Sequence, residues 1–329
     1  MEKRETRYLF AGGGTGGHIY PTIAVAEELK RMDKHCRILF VGTRKGLERR
    51  IVPEAGYDIR YIRVGGLRGQ SPGTLLKNLS LFPIGLLGSA LILFSFRPHV
   101  MFGAGGYVTG PVVLLSALFR IPTVIHEQNV IPGSSNRVLS WFSTRVAVSF
   151  PETAEAFHKE VIVTGNPVRR DFLNIGPRKE KKIHPILVFG GSRGALSINR
   201  AIISALPVLS ASGLPFRLTI QTGEAHHEMV AGALKKNDVP GEAVPYIADM
   251  AGKMEAADLL ICRAGATTIA ELKAARRASI LIPFPHAIHN HQELNARTLE
   301  QKGCARMILE RDLTGERLAQ DIIDLLSGT

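Results

Sequence analysis

Short apolar runs, each ending in a polar or glycine-rich turn and followed by a segment with helical spacing, repeat along the chain. This is the pattern of a parallel sheet whose strands are buried on both faces and joined by helices. Runs at 8–11, 37–41, 99–102, 123–126 and 146–148 predict strands of a first half. The pattern restarts at 185–189, 218–221, 243–245, 259–262 and 279–282. Between the two sets lie Gly165-Asn166-Pro167 and the charged stretch Pro177-Arg178-Lys179-Glu180-Lys181-Lys182, which has the composition of a linker. The expected fold class is α/β, with two doubly wound parallel-sheet domains, 1–167 and 168–329, facing a cleft. In such sheets ligands bind beyond the carboxyl ends of the strands, so the turns there are where chemistry is expected.

Composition agrees with two globular domains. The chain has 329 residues, 45% of them hydrophobic and 21% charged, enough for two cores of about 150 residues each. Lys and Arg number 41 against 29 Asp and Glu, a net charge of +12 that favours anionic partners. The basic residues are scattered and aromatics make up only 6%, which argues against a stacking platform for nucleic acid. Cys36, Cys262 and Cys304 lack the spacing of a metal site or a disulfide scaffold, and a reducing compartment is expected. The polar start Met1-Glu2-Lys3-Arg4-Glu5 runs directly into the first strand and does not read as a secretory signal.

Residues 78–96 carry no charge, and Lys77 and Arg97 bracket the run. It is nearly long enough to span a bilayer. Pro83, the interruptions at Ser80, Gly85 and Gly88, and the need for strands on both sides to join one sheet argue against spanning. A buried helix and a helix partly exposed as a membrane-docking patch both remain, and they are compatible. Arg63, Arg68, Lys77 and Arg97 would help such a patch meet anionic lipid.

Four glycine-rich turns follow strands and open helices. Gly12-Gly13-Gly14-Thr15-Gly16-Gly17-His18 offers backbone N–H groups and a positive helix end suited to a pyrophosphate. A dinucleotide fingerprint would also want an acidic residue after the second strand, and Phe40-Val41-Gly42-Thr43 supplies none. Gly103-Ala104-Gly105-Gly106-Tyr107 is a second anion-ready turn, and the four polar residues His126, Glu127, Gln128 and Asn129 close a strand and are expected to line the same cleft. Gly190-Gly191-Ser192-Arg193-Gly194 reads as a phosphate clamp. Arg263-Ala264-Gly265-Ala266-Thr267-Thr268 opens a helix able to hold a phosphate, with Glu271 further along able to accept from ribose hydroxyls. His286, His289 and His291 are irregularly spaced, and a sugar-contacting loop is favoured over a metal site; no metal and no cofactor is expected.

Gly13 to His18, Gly105-Gly106-Tyr107, His126 to Asn129, Thr164-Gly165-Asn166-Pro167-Val168-Arg169, Gly190-Gly191-Ser192 and His291-Gln292 with Asn295-Ala296 resemble, in order and spacing across nearly the whole chain, the MurG family of glycosyltransferases. The resemblance implies the GT-B architecture, two Rossmann-like domains with the acceptor on the first and a UDP-sugar donor on the second. It implies inverting transfer of N-acetylglucosamine from UDP-N-acetylglucosamine to the C4 hydroxyl of undecaprenyl-pyrophosphoryl-N-acetylmuramyl pentapeptide (lipid I), giving lipid II and UDP. Matched by motif, Ile247 faces uracil, Ser192 and the helix start at Ala266, Thr267 and Thr268 hold the diphosphate, Glu271 the ribose and Gln292 the sugar. Thr15, Gly16, Gly17, Asn129 and Arg169 match further donor contacts. Gly14, Gly105, Gly106, Tyr107 and His126 match acceptor positions, with His18 as the expected general base, its imidazole titrating near neutral pH, and Glu127 as the other catalytic candidate. His289 departs from the family pattern, and the final helix at 318–326 is expected to pack back on the first domain.

The resemblance further implies a peripheral enzyme on the cytoplasmic face of the bacterial plasma membrane, with anionic lipid and other cell-wall synthesis proteins as partners and no nucleic acid. A UDP-N-acetylglucosamine 2-epimerase would share the fold and the donor site but leave residues 78–96 unexplained. A non-catalytic membrane-recruited scaffold would not need His18, Glu271 and Gln292 together.

Overall fold

In a computed structural model of the chain, residues 5–66, 71–178, 182–191 and 193–327 are described, without the side chains of residues 75, 77 and 288. Ser192, Arg68 and the side chain of Lys77, all named above, lie outside the described residues. The chain divides into two units between Arg169 and Arg170.

In the first unit the strands are β1 (Arg7–Ala11), β2 (Arg37–Gly42), β3 (Asp58–Tyr61), β4 (Val100–Gly103), β5 (Thr123–Glu127), β6 (Arg145–Val148) and β7 (Val161–Val163). They form one parallel sheet in the order β3-β2-β1-β4-β5-β6-β7. Side chains alternate across a strand, so consecutive residues enter opposite layers. Phe10 packs with Ile19, Ile23, Phe40, Ile51 and Val52 on one face, against the helices Gly16–Met32 and Glu48–Glu54. Leu9 and Ala11 pack with Leu39, Met101 and Val112 on the other, under the helices Pro72–Phe96 and Thr109–Leu118.

The second unit holds β8 (His184–Phe189), β9 (Phe216–Gln221), β10 (Gly241–Val244), β11 (Leu259–Cys262), β12 (Ala278–Leu281) and β13 (Arg306–Met307), parallel in the order β10-β9-β8-β11-β12-β13. The final helix, Gly315–Ser327, sends Leu318, Ala319 and Ile322 into this unit's core beside Ile198 and Ile202. Its apolar stripe is therefore taken up by its own domain.

The uncharged run belongs to a longer helix, Pro72–Phe96, that begins with Ser71 as N-cap and Pro72 in its first turn. It passes through Pro83, whose missing N–H falls on an exposed face, so proline does not break it here. By length and composition alone it is long and apolar enough to cross a membrane. Yet β3 and β4, on either side of it, belong to one sheet, and Ile92, Leu93 and Phe96 are buried in that sheet's core. The opposite stripe is solvent-facing: Leu76, Leu79, Ile84, Leu87, Leu91 and Phe94 recur at helical spacing, with Leu87 64% and Leu91 63% exposed.

In each sheet the strand order reverses beside the first strand of the unit. Chain direction departs to opposite sides after β1 and β4, and again after β8 and β11, leaving room at the carboxyl ends for a ligand. Those four strands carry the four glycine-rich turns.

Candidate active site

In the first unit the turns after β1 and β4 touch backbone to backbone. Gly106 has φ +84°, and a Cβ there would lie 2.6 Å from the carbonyl oxygen of Gly13, so only glycine closes this contact. Thr109 fastens the second turn by donating its hydroxyl to the carbonyls of Gly105 (2.7 Å) and Ala11 (3.2 Å). The Tyr107 ring lies against Gly14. Thr15 is the N-cap of the helix Gly16–Met32, with Gly16 and Gly17 in its first turn and His18 beside Gly105. Arg169 lies over the Tyr20 ring of the same helix, 4.6 Å from its centroid.

Gly14, expected to hold the acceptor, instead turns its N–H inward to Glu48 Oε2 at 2.9 Å. That donor is occupied, and the loop has one fewer N–H for a diphosphate than its glycine count implies. Glu48 is fully buried, and its Oε1 accepts from the backbone N–H and the hydroxyl of Thr43, both at 2.9 Å. Sequence reasoning looked for an acid on Phe40 to Thr43 and missed this one. Its signal was spacing, since Glu48, Ile51 and Val52 share one buried helical face.

His126, Glu127 and Gln128 do not line a surface: they are buried behind the turns and hydrogen-bonded to one another and to backbone. His126 Nδ1 accepts from Gln128 Nε2 at 3.2 Å, so Nε2 carries the ring proton and donates to the Gly165 carbonyl at 3.0 Å. The Glu127 carboxylate accepts from Asn129 N–H (3.0 Å), Asn129 Nδ2 (3.3 Å), Gly133 N–H (3.0 Å) and Asn136 Nδ2 (2.9 Å). Three polar residues at a strand end are tolerated in the core because each is hydrogen-bonded internally, and Asn129 beside them is half-buried. This corrects the placement of His126 among surface contacts and leaves Glu127 fully engaged in orienting Asn129.

Burial lowers the His18 imidazole to about 4, with Glu48 opposing, and lowers His126 to about 4, with the Gly165 hydrogen bond opposing. His18 Nδ1 is buried without a hydrogen-bond partner among the described residues. In the unliganded enzyme His18 is therefore neutral at pH 7, able to take a proton but a weaker base than an imidazole titrating near neutrality.

In the second unit, Gly194 in the turn after β8 and Gly223 after β9 interlock. A Cβ on Gly194 would sit 1.8 Å from the Thr222 carbonyl oxygen, and one on Gly223 2.0 Å from that of Arg193. Gln221 then bridges two expected donor segments: its Nε2 donates to the Gly191 carbonyl (2.8 Å), while its Oε1 accepts from the Ile247 N–H (2.8 Å). After β11, Gly265 is the N-cap of the helix Ala266–Ala275, which places Ala266, Thr267 and Thr268 in the first turn and Glu271 one turn on, buried. Burial pushes the Cys262 thiol up, and the nearby Glu271 carboxylate adds to the effect. Arg263 donates to the carbonyls of Ile282 and Pro283, both at 3.1 Å, and to Ser197 Oγ at 2.9 Å. Glu310 balances its charge at 2.5 Å. One guanidinium thus ties the turns after β11 and β12 to the helix Leu196–Ala211. Gln292 Oε1 accepts from Phe284 N–H at 3.0 Å, which leaves its amide N–H₂ as the group to offer a sugar. Among the described residues, no three His, Cys, Asp or Glu side chains gather as metal ligands.

Residues 8–148 match the glycosyltransferase family 28 N-terminal domain and residues 185–329 its C-terminal domain. The chain is 46% identical, over 98% of its length and 90% of the other, to the UDP-N-acetylglucosamine–N-acetylmuramyl-(pentapeptide) pyrophosphoryl-undecaprenol N-acetylglucosamine transferase of Syntrophus aciditrophicus. It is 44% identical, over 98% and 91%, to the transferase of that name from Thermoanaerobacter sp. strain X514. The crystal structure of Acinetobacter baumannii MurG superposes with TM-score 0.79 at 30% identity, covering 98% of this chain and 91% of that one. A putative UDP-N-acetylglucosamine 2-epimerase from Listeria monocytogenes, at TM-score 0.72 and 14% identity over 98% and 88%, shares the fold alone. By these matches across both units, the chain belongs to glycosyltransferase family 28, among the MurG-type N-acetylglucosamine transferases of GT-B fold.

Proposed function

We propose that the protein transfers N-acetylglucosamine from UDP-N-acetylglucosamine to the C4 hydroxyl of the lipid-linked N-acetylmuramyl pentapeptide, inverting the anomeric centre and releasing UDP. The C4 oxygen bonds to the anomeric carbon as the bond from that carbon to the β-phosphate oxygen breaks, and His18 takes the hydroxyl proton. An acceptor pyrophosphate beside the imidazole would raise its basicity, since a nearby negative charge favours the charged ring. General-base assistance of this kind contributes about 10²–10⁴-fold.

In this reading the first domain takes the acceptor through Gly105, Gly106 and Tyr107, while His126 and Glu127 hold the turns from behind. The second domain takes the donor: Ile247 at uracil, Glu271 at the ribose, Ser192 and the helix start at Ala266, Thr267 and Thr268 at the diphosphate, and Gln292 at the sugar. Thr15, Gly16, Gly17, Asn129 and Arg169 complete the donor contacts from the first domain. The observation that carries the reading is the 46% identity to an N-acetylglucosamine transferase over nearly the whole chain, spanning both sets of glycine turns. Incubation with labelled UDP-N-acetylglucosamine and a soluble lipid I analogue tests it: label should move to the acceptor. Conversion to an epimerised nucleotide sugar with no labelled acceptor would contradict it.

The exposed stripe of the helix Pro72–Phe96 supports peripheral binding to the cytoplasmic face of the plasma membrane. Phe94 packs on Phe119, centroids 5.0 Å apart, so the apolar surface continues to the end of the next helix, and the exposed Arg97 and Arg120, which follow these helices in sequence, are available to anionic headgroups. Other cell-wall synthesis proteins are the expected neighbours there.

A further inference from the structure

Glu48 is buried without exposure to solvent, and three glycines make its space. A Cβ on Gly13, Gly42 or Gly46 would come within 2.7, 2.5 or 2.0 Å of its side chain. Its carboxylate oxygens accept three hydrogen bonds, from the Gly14 N–H, the Thr43 N–H and the Thr43 hydroxyl. The consequence follows by counting hydrogens. Thr43 has one hydroxyl hydrogen, and it points at Glu48. In the contact between Thr43 Oγ1 and the Tyr107 hydroxyl at 3.3 Å, Thr43 must then be the acceptor and Tyr107 the donor. The single hydrogen of Tyr107 is turned inward, and its oxygen offers only lone pairs outward.

We propose that Glu48 and Thr43 form a polarity relay that fixes Tyr107 as a hydrogen-bond acceptor, so that this residue selects a donor group of the acceptor substrate, a hydroxyl or an amide N–H, and not its phosphate oxygens. The inference rests on the reading of Tyr107 as an acceptor-side contact. Glu48 and Thr43 are positioning residues, because they act through Tyr107. The same carboxylate draws the Gly14 N–H away from any diphosphate.

Thr43→Val keeps the shape and both backbone donors of the Glu48 clamp while removing the relay. It should raise the KM for the lipid I analogue about tenfold, the scale of one lost hydrogen bond, with the KM for UDP-N-acetylglucosamine unchanged. Tyr107→Phe should do the same, and the double variant should be no worse than the worse single one. Wild-type kinetics in folded Thr43→Val, or multiplicative effects in the double variant, would overturn the relay. Glu48→Gln mispairs at least one of the three donors and risks misfolding, so Thr43→Val carries the kinetic test. A neutron map of the unliganded enzyme reads the relay without substrate: the Tyr107 hydroxyl hydrogen should lie toward Thr43 Oγ1, and a hydrogen pointing outward would refute it. If that hydrogen lies as expected but wild-type enzyme leaves the lipid I analogue unmodified, the relay stands and the assigned acceptor is what fails.

Discussion

The ring Nε2 of His126 donates to the carbonyl oxygen of Gly165 at 3.0 Å, joining the end of β5 to the segment that leads out of the first unit. Gln128 fixes the tautomer from the other side of the ring. Replacing His126 by Phe fills the volume but removes both hydrogen bonds of the ring, while the Gly165 carbonyl keeps the Thr164 hydroxyl and the Gln128 amide keeps the Ala104 and His126 carbonyls. It should destabilise the protein by about 0.5–1.5 kcal/mol. Urea unfolding measures this, and a loss of several kcal/mol would show that the remaining partners do not satisfy these groups.

Two histidines held at about 4 make stability depend on pH. Unfolded histidine titrates near 6.5, so between about pH 6.5 and 4 the unfolded chain binds more protons than the folded one. Stability contributed by the neutral rings is complete above pH 6.5 and is lost as pH falls through 4. The same lowering sets the acidic limb of kcat/KM, which reports the free enzyme: if His18 is the base, activity should hold from pH 7 to about 5. Activity halving near pH 6.5 would show that the free-enzyme imidazole titrates normally.

Glu271 is buried one turn into the helix Ala266–Ala275. Loss of charge-assisted hydrogen bonds to ribose in Glu271→Ala should weaken UDP binding by about 1.5–3 kcal/mol, roughly ten- to hundredfold. Calorimetry with UDP decides it. Unchanged affinity in a folded variant would remove Glu271 from the donor site.

The membrane face is tested on the helix Pro72–Phe96. Leu86 is partly buried, whereas Leu87 and Leu91 are 64% and 63% exposed, so the latter pair is the right probe. Leu87→Glu with Leu91→Glu should leave the fold intact and reduce sedimentation with anionic liposomes, and wild-type sedimentation would point to another surface.

The central strands of both sheets were legible because strands buried on both faces read as continuous apolar runs. The missed ones are edges: Asp58–Tyr61 alternates exposed and half-buried positions, Val161–Val163 is largely exposed, and Arg306–Met307 is two residues long. Short edges with exposed positions give a weak periodic signal, although the edge β10 was still visible at 243–245. The helix Pro72–Phe96 was read too short because Lys77 ended the uncharged window, although Ser71-Pro72 is a good helix start. In the candidate site the glycine turns were visible in sequence, but their supports were not. Helical spacing marks Glu48 as buried, but the distant backbone groups that Glu48, Gln221 and Arg263 tie together are brought close only by the fold.

The most direct test is the product itself. Wild-type enzyme, treated exhaustively with EDTA and given UDP-N-acetylglucosamine and a soluble lipid I analogue, should yield a disaccharide whose NMR shows a β linkage to C4 of the N-acetylmuramyl residue, at undiminished turnover. An α linkage, a bond to another hydroxyl, or loss of turnover restored by a divalent cation would contradict the inverting, metal-independent transfer proposed here.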